Sequence, residues 1–313
     1  MADMIATREA YGKALVELGA RYENLVVLDA DLASATKTGM FKKAFPDRFF
    51  DCGIAENNMI GVAAGLSLTG KIPFASSFAM FVAGRSFDQV RNSVGYPHLN
   101  VKLGATHAGV TVGEDGATHQ CNEDIALMRT IPGMVVINPA DATEAKKAVE
   151  AAINHVGPVY LRFGRMAVPV LFDDSYDFQI GKGKTVAEGT DVSIIATGIM
   201  VSEAIAAREL LANEGISASV VNIATVKPLD EDLVVAEAQK CGAVVTAEEH
   251  STLGGLGAAV CECLSEKCPT PVVRVGMRDT FGRSGTAREL ISYYGLDAKA
   301  IAENAKKAIS LKK

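Results

Sequence analysis

The sequence predicts an α/β protein of two domains, each with a mostly parallel sheet covered by helices on both faces. Short, uniformly apolar segments alternate with longer segments of helical periodicity along most of the chain. Uniformly apolar strands are typical of parallel sheets, which are buried on both faces, and their alternation with helices indicates crossover connections. A polar stretch over residues 168–189 interrupts the alternation, and 313 residues suffice for two domains.

The first half of the chain supplies the predicted elements of the first domain. Residues 7–20 carry apolar side chains at helical spacing, and residues 24–29 form a short apolar strand. Residues 56–68 are predicted as a helix rich in Gly and Ala, which permits close packing. The remaining predictions are strands at 72–75, 101–103, 134–138 and 158–162, and a helix at 142–154.

The polar stretch marks the predicted domain boundary. It combines a proline, three aspartates and three glycines, a composition typical of a connection. We therefore predict a first domain at residues 1–170, a linker at 171–187 and a smaller second domain at 188–313. In the second domain the pattern predicts strands at 192–196, 218–222, 243–247 and 272–275, and helices at 200–213, 231–240, 257–265, 287–294 and 298–309.

Composition and charge argue against several classes of protein. The formal net charge is −6 and the basic residues are dispersed, whereas a nucleic-acid surface needs a basic stripe. The longest apolar runs, such as residues 192–196, are too short to span a bilayer. The N-terminus lacks a cationic segment followed by a long apolar one, so we expect a cytoplasmic protein.

Six cysteines are present, and three of them are closely spaced. Cys261, Cys263 and Cys268 follow a C-x-C-x4-C pattern, but no matching second half and no nearby histidine complete it. Zinc sites normally require four such ligands. We therefore predict reduced thiols and no metal site on this chain.

Two clusters in the first domain lie where predicted strands end. Glu56 stands at the junction between a strand and a helix, where it could face a ligand crevice or only stabilise the helix N-terminus. Phe78 and Phe81 are three residues apart and share a face of a helix or turn. They fit either a core position or a platform for a flat ligand, and the residues alone leave both alternatives open.

Two further clusters carry histidines and arginines. The stretch 106–120 contains His107 and His119, and histidine is a natural proton-transfer group near neutral pH. Metal binding is a rival use, but the two histidines are twelve positions apart and no short-spaced partner completes a site. Arg162 and Arg165 follow a predicted strand and suit either an anion clamp or surface salt bridges.

Together these clusters resemble one group of thiamine-diphosphate enzymes, the transketolases. The run FPDRFFDCGIAENNM at residues 45–59 resembles the stretch around their catalytic glutamate. The run GEDGATHQ at 113–120 is similar to their GEDGPTHQ motif, with Ala117 replacing a proline. The segments KPLD at 227–230 and EEHSTLGGLG at 248–257 resemble their C-terminal domain. The resemblance implies a pyrimidine-binding domain followed by a transketolase C-terminal domain.

The resemblance also implies which residues bind thiamine diphosphate. Glu56 would hydrogen-bond N1′ of the aminopyrimidine and favour its imino tautomer, which takes the proton from thiazolium C2. Phe81, with Phe78 beside it, would stack on the ring. Asp31 would lie near the thiazolium and Ile54 would make an apolar cofactor contact. Many members have a tyrosine near the position of Gly84, so this pocket departs from theirs.

Substrate roles follow from the same resemblance. His107 and His119 match histidines that bind the sugar and move protons during cleavage, and Asp115 matches an acid that contacts the sugar's α-hydroxyl. Arg165 matches the arginine that holds a sugar phosphate, and Arg162 is a weaker candidate. A serine that usually assists has no clean counterpart, because Ser34, Ala35 and Thr36 straddle its position.

One part of the family pattern is missing from this chain. Full-length transketolases begin with a further domain that binds Mg²⁺ and the diphosphate through a G-D-G motif, and no G-D-G occurs here. The resemblance therefore implies the C-terminal subunit of a split transketolase, with Mg²⁺ on a separate N-terminal-type subunit and an α2β2 assembly formed through self-association. Its expected reaction is transfer of a two-carbon ketol unit between ketose and aldose phosphates.

Three alternatives compete with this interpretation. Deoxyxylulose-phosphate synthase shares several motifs but reads GADGQTHQ in the loop, so Glu114 argues against it, as does the short chain. The β subunit of a 2-oxo acid dehydrogenase has a similar plan but usually lacks the GEDG run, because an oxo acid offers no sugar hydroxyls. A non-catalytic subunit that kept the fold is disfavoured because all the predicted catalytic and substrate residues are present together.

Overall fold

The computed structural model describes residues 3–312 and confirms the predicted fold class of two α/β domains. The strands of the first domain are β1 (Met4–Ala6), β2 (Leu25–Asp29), β3 (Phe49–Asp51), β4 (Ile72–Phe78), β5 (Lys102–Thr106), β6 (Val135–Ile137), β7 (Val159–Arg162) and β8 (Ala167–Pro169). Its helices are α1 (Thr7–Gly19), α2 (Ala33–Thr36), α3 (Gly39–Ala44), α4 (Glu56–Leu68), α5 (Phe87–Gln89), α6 (Asp124–Arg129) and α7 (Ala142–Asn154). Two π-helical turns, Met80–Arg85 and Val90–Gly95, flank α5, and 3₁₀ turns lie at Pro46–Arg48 and Val110–Val112.

The second domain repeats the alternation of strands and helices. Its strands are β9 (Lys184–Ala187), β10 (Val192–Ala196), β11 (Ala218–Asn222), β12 (Thr225–Lys227), β13 (Val244–Ser251) and β14 (Val272–Met277). Its helices are α8 (Met200–Asn213), α9 (Glu231–Cys241), α10 (Leu256–Lys267), α11 (Ala287–Tyr293) and α12 (Ala298–Ser310). Every element predicted in this half is present, with its ends shifted by a few residues at most.

The first domain is built on a seven-stranded sheet in the order β12-β6-β7-β5-β4-β2-β3. All neighbouring pairs in it are parallel except β12 and β6. Since β12 comes from the second half of the chain, the two domains share a sheet edge. Helices α1 and α7 cover one face of the sheet, and α4 and the π-helical turns cover the other.

The second domain is built on a five-stranded sheet in the order β14-β13-β10-β11-β9. Strand β9 pairs antiparallel with β11, although residues 184–187 fall within the predicted linker. Polar and apolar residues alternate only weakly in this segment, so the sequence does not predict the edge strand. Outside these sheets, β1 and β8 form a two-stranded antiparallel pair that brings residues 4–6 next to the end of the first domain.

Burial explains why these strands read as uniformly apolar. Every residue of β2, β4, β5 and β10 is buried, and a fully buried Leu or Phe stabilises the fold by roughly 1.5–3 kcal/mol relative to exposure. None of the six cysteines is in a disulfide. Within residues 3–312, no helix combines the length and the apolar character needed to cross a membrane.

The parallel strands place the chemically interesting residues at one edge. Strands β2, β3, β4, β5 and β7 run in the same direction, so the segments after their carboxyl ends lie side by side. Ligands of open α/β sheets bind at this edge. The candidate site lies there.

Candidate active site

Glu56 is the first residue of α4, and its side chain is only 2% exposed. A short connection from β3 precedes it, in which Gly53 has a positive φ of 67°. The Cys52 amide in this connection donates a hydrogen bond to the Asp29 carbonyl at 2.8 Å. Both carboxylate oxygens accept hydrogen bonds from Arg85 Nη1 at 2.8 Å. Such burial favours a functional or structural role over a solvated charge at a helix N-terminus.

Four rings meet near Arg85, the partner of Glu56, whose guanidinium carbon lies 4.4 Å from the centroid of the Phe81 ring. Phe78 ends β4 and Phe81 lies in the following π-helical turn, with ring centroids 5.7 Å apart and planes 10° apart. The His107 ring stacks on Phe78 at 3.8 Å, and His119 meets Phe81 edge-on at 5.5 Å. Phe78 is buried, whereas Phe81 keeps part of its surface exposed. The structure thus unites residues that lie 41 positions apart in the sequence.

His107 is held as a neutral imidazole. Its Nε2 lies 3.0 Å from Arg8 Nη1, and its Nδ1 lies 2.9 Å from the Thr106 hydroxyl. Since a guanidinium only donates, Nε2 accepts and we assign the proton to Nδ1. Burial, together with the positive charges of Arg8 and Arg165, lowers the pKa of His107 to about 3. Its backbone φ is 57°, an uncommon conformation that turns the ring toward Phe78.

Arg8 is a site residue that sequence reasoning missed. It lies in the first turn of α1 and also donates from Nη1 to the Ala35 carbonyl at 2.9 Å. Burial and the nearby Arg165 lower its pKa, and its Nε is buried without a hydrogen-bond partner. Two neighbouring guanidiniums with an unused donor favour an anion between them. Nothing in the residues around position 8 signals this, because the contact depends on the fold.

Arg165 follows β7 and reaches the loop that contains both histidines. Its side chain is 35% exposed and lies 3.2 Å from Glu114 and 3.9 Å from Asp115. Its Nη1 also donates to the Val112 carbonyl. Asp115 is exposed, so both it and Arg165 are accessible to a polar ligand. The predicted substrate residues therefore converge on one region.

Two predicted cofactor residues lie beside this cluster rather than in it. Ile54 is 77% exposed. Asp31 is exposed and has a positive φ of 61°, and its amide bonds Asp51 at 3.2 Å. The buried acid at this strand end is Asp29, which accepts hydrogen bonds from Thr36 and Thr38 at 2.7 and 2.8 Å. Burial raises the pKa of Asp29 to about 6.

Two secondary candidates for phosphate binding are corrected by the structure. Arg162 is buried, and its Nε pairs with Asp124 at 2.8 Å, so it serves the core of the domain interface. Thr36 is buried as well, and its hydroxyl is committed to Asp29. The pattern of two arginines near a strand end could not distinguish them, because only the tertiary fold places Asp124 against Arg162 and leaves Arg165, beyond the strand, partly exposed.

The comparisons with known proteins cover both domains. Residues 3–170 match the family described as transketolase, pyrimidine binding domain, and residues 181–301 match transketolase, C-terminal domain. The chain belongs to the transketolase family. The expected family is thereby confirmed, and the second match begins inside the segment predicted as a linker.

Several transketolase relatives match the chain over nearly their whole length. A putative transketolase C-terminal section of Methanocaldococcus jannaschii is 53% identical over 95% of this chain and 94% of its own. A 6-deoxy-6-sulfo-D-fructose transketolase subunit of a Clostridium species is 47% identical over 94% and 91%. A subunit of the apulose-4-phosphate transketolase of Phocaeicola vulgatus is 39% identical over 97% of both chains.

Solved transketolase structures give the same result. A split-gene transketolase described as an inactive β4 tetramer superposes with a TM-score of 0.93 at 55% identity, covering 99% of this chain and all of the other. Transketolase from Leishmania mexicana superposes with a TM-score of 0.83 at 26% identity, and this chain covers 46% of it. Human transketolase is 38% identical over 96% of this chain, which spans 48% of the human protein.

The residues present fit the pyrimidine end of thiamine diphosphate. The buried carboxylate of Glu56 and the partly exposed ring of Phe81 both contact Arg85, at 2.8 Å and 4.4 Å. A flat heterocycle with a hydrogen-bonding ring nitrogen requires such an acid and such a ring. Within residues 3–312, no group of three or more His, Cys, Asp or Glu side chains is arranged to hold a metal ion.

Proposed function

We propose that this chain is the C-terminal-type subunit of a split transketolase. In this role it transfers a two-carbon ketol unit between ketose and aldose phosphates, together with a separate N-terminal-type subunit. The observation that carries the proposal is the junction of Glu56 and the Phe78–Phe81 rings with His107 and His119. Acid, ring platform and proton-transfer groups thus lie within one cluster beside the arginine pair.

Glu56, Phe78 and Phe81 would hold thiamine diphosphate at its pyrimidine end. When bound, this cofactor supplies the nucleophilic carbanion that attacks a ketose carbonyl. Glu56 would hydrogen-bond N1′ of the aminopyrimidine, and its burial would keep water from competing for that hydrogen bond. Phe81 offers its exposed face to the ring, while Phe78 supports Phe81 from below. Ile54 and Asp31 are proposed to contact the cofactor from the neighbouring strand ends.

His107 and His119 would act on the sugar. His107 is neutral and keeps its orientation through Arg8 and Thr106, so it serves as a fixed hydrogen-bonding group at the substrate. The Nδ1 of His119 lies 2.9 Å from the Thr118 hydroxyl, which leaves Nε2 to exchange a proton with a sugar hydroxyl. Asp115, exposed at the tip of the same loop, is proposed to receive the α-hydroxyl.

Arg165 and Arg8 would bind the anionic end of the sugar. Hydrogen bonds from an arginine to a phosphate are charge-assisted and worth ~1.5–3 kcal/mol each. The partner-free Nε of Arg8 supports this role. The named substrates of two relatives, 6-deoxy-6-sulfo-D-fructose and apulose 4-phosphate, both carry an anionic group. We therefore propose a ketose with an anionic terminal group as the donor, and we expect this group to be a phosphate.

A second type of chain is part of the proposal. Several relatives of matching length are named as sections or subunits of transketolases, and a 55% identical structure is described as an inactive β4 tetramer. We propose that Mg²⁺ and the diphosphate are bound by an N-terminal-type subunit, and that two copies of each chain form an α2β2 assembly. The open position of Ile54, at 77% exposure, is consistent with a site completed by a second chain.

A reconstitution assay tests the proposal. Ketol transfer from a phosphorylated ketose to an aldose phosphate is measured for this chain, for an N-terminal-type transketolase subunit from the same genome, and for their mixture, each with thiamine diphosphate and Mg²⁺. We expect activity only in the mixture, saturating at equal molar amounts. Robust transfer by this chain alone would overturn the split arrangement, and no transfer in a stable mixed complex would overturn the reaction.

A further inference from the structure

The segment that ends β13 contains three consecutive buried titratable side chains that the proposed reaction does not use. Glu248, Glu249 and His250 are each at most 2% exposed, although burying such groups is costly unless each is paired. They lie in the second domain, and Glu248 bonds within this domain, whereas Glu249 and His250 accept hydrogen bonds from the first domain. Their partners show what each of them does.

Glu248 makes its hydrogen bonds within the second domain. Its two carboxylate oxygens accept hydrogen bonds from the amides of Leu256 and Gly257 at 2.7 and 2.8 Å, at the start of α10. Amides at a helix start have no partner within the helix, and a carboxylate satisfies them well. Glu248 therefore caps α10, and its removal should destabilise the second domain without touching the candidate site.

Glu249 instead reaches across the interface into the loop that contains both histidines. Its Oε1 accepts a hydrogen bond from the Thr111 amide at 2.6 Å. Gly109, two residues earlier, has a positive φ of 77°, and a β-carbon there would overlap the carboxyl group of Glu249. The loop thus packs directly on this carboxylate, and a side chain at position 109 would push it away.

The turn that Glu249 holds is also the one that holds Arg165. Thr111 is the middle residue of the 3₁₀ turn Val110–Val112, and the Val112 carbonyl accepts a hydrogen bond from Arg165 Nη1. Gln120 closes the turn by donating to the Val110 carbonyl at 3.1 Å. Shifting the Thr111 amide therefore shifts the carbonyl that orients the Arg165 guanidinium.

Glu249 is connected to Arg165 by a second route through the backbone. The Glu249 carbonyl accepts a hydrogen bond from Arg162 Nη2 at 2.9 Å. Arg162 is the last residue of β7, three positions before Arg165. Residue 249 thus contacts the end of β7 through its backbone carbonyl, which substitutions retain, and the turn that Arg165 contacts through its carboxylate.

We propose that Glu249 is a positioning residue that holds the Val110–Val112 turn and, through it, sets the Arg165 guanidinium for the anionic end of the substrate. This inference rests on the proposed function, because it assigns Glu249 to the specificity of that same site. Glu249 does not touch the substrate in this role. The second domain thereby contributes to substrate selection through one buried carboxylate.

Glu249→Ala in the reconstituted enzyme tests the proposal, with Glu248→Ala as the matched control. A misplacement of about 1 Å can cost up to ~10²-fold in rate, so we expect kcat/KM for a phosphorylated ketose to fall about tenfold, mainly through KM. The value for hydroxypyruvate, which lacks the phosphate, should stay within about twofold of wild type. Glu248→Ala should lower the melting temperature and leave the ratio of the two donors unchanged.

Two further variants keep the test decisive if Glu249→Ala folds poorly. Glu249→Gln retains an oxygen acceptor for the Thr111 amide and should retain most of the donor preference. Gly109→Ala disturbs the same contact from the loop side and should reproduce the selective loss. In the double variant Glu249→Ala/Arg165→Ala, the loss should not exceed that of Arg165→Ala alone, because Glu249 acts through Arg165.

Amide hydrogen exchange in the purified chain separates failure of this inference from failure of the proposed function. Exchange at Thr111 should be faster in Glu249→Ala than in wild type and unchanged in Glu248→Ala. Unchanged exchange at Thr111, equal losses on both donors or additive losses in the double variant would overturn the positioning role. Absence of ketol transfer in the wild-type mixture would instead overturn the proposed function.

Discussion

Arg85 donates from Nη1 to both carboxylate oxygens of Glu56 at 2.8 Å, and its guanidinium carbon lies 4.4 Å from the centroid of the Phe81 ring. The guanidinium thus lies beside the acid and the ring that are assigned to the aminopyrimidine. Arginine has only donors and pairs with an ionised carboxylate. For Glu56 to hydrogen-bond a cofactor nitrogen, we expect Arg85 to release at least one carboxylate oxygen.

Replacement of Arg85 by alanine should destabilise the cofactor-free chain more than the loaded complex. Without Arg85 the buried Glu56 loses its partner, which costs about 1–3 kcal/mol, whereas bound cofactor supplies a new partner. The increase in melting temperature caused by thiamine diphosphate and Mg²⁺ in the reconstituted enzyme should therefore be larger for Arg85→Ala than for wild type. Arg85→Lys serves as the control, and equal increases for Arg85→Ala and wild type would show that Arg85 keeps both bonds to Glu56 in the complex.

Replacement of Arg165 by alanine should act selectively on phosphorylated donors. A charge-assisted hydrogen bond of ~1.5–3 kcal/mol corresponds to a loss of roughly ten- to a hundredfold in kcat/KM. Hydroxypyruvate, which has no phosphate, should be affected much less. The measurement is kcat/KM for both donors with wild type and with Arg165→Ala. An equal loss for the two donors would mean that Arg165 is structural and that Arg8 alone is the anion-binding arginine.

Most of the fold could be predicted from the sequence, because the strands are buried on both faces and read as plain apolar runs. The strand at residues 192–196, for example, is predicted and observed with the same bounds. Strand β12 could not be predicted, since its partner β6 lies nearly ninety residues earlier and only the tertiary fold brings them together. Strand β9 was hidden because a half-exposed edge strand carries little apolar signal.

The residues of the candidate site also fall into those that the sequence could indicate and those that it could not. His107 and His119 lie in a loop whose residue types by themselves suggest chemistry, whereas Glu56 and Phe78 are assigned through the family resemblance. Arg8 and Arg85 lie in ordinary contexts and Glu249 lies in a family-like segment without an assigned role, and only distances reveal their contacts with His107, Glu56 and Thr111. A single sequence carries no signal for such contacts, because they join distant segments through side-chain geometry.

The depressed pKa of His107 predicts a pH dependence of stability. Its folded pKa is about 3, while an unfolded histidine has a pKa of about 6.5. The unfolded chain therefore binds one more proton between these values, so the stabilisation is complete above about pH 6.5 and is lost as the pH falls toward 3. Urea unfolding should show that wild type loses roughly 2 kcal/mol more than His107→Gln between about pH 7.5 and 5.

His98, an exposed histidine, provides the control for this prediction. The variant His98→Gln should follow the wild-type pH dependence. If His107→Gln also followed it, the imidazole of His107 would titrate equally in the folded and unfolded chains, and its depressed pKa would be wrong.

The most direct test of the account measures cofactor activation at Glu56. In the reconstituted enzyme, hydrogen–deuterium exchange at C2 of thiamine diphosphate is followed for wild type, Glu56→Gln and, as a buried-glutamate control, Glu248→Gln. We expect Glu56→Gln to retain the cofactor but to slow exchange by at least ~10²–10⁴-fold, the usual contribution of a positioned proton-transfer group, while Glu248→Gln exchanges as wild type. Exchange at the wild-type rate in cofactor-loaded Glu56→Gln would contradict the assignment of Glu56 and of the cofactor site around it.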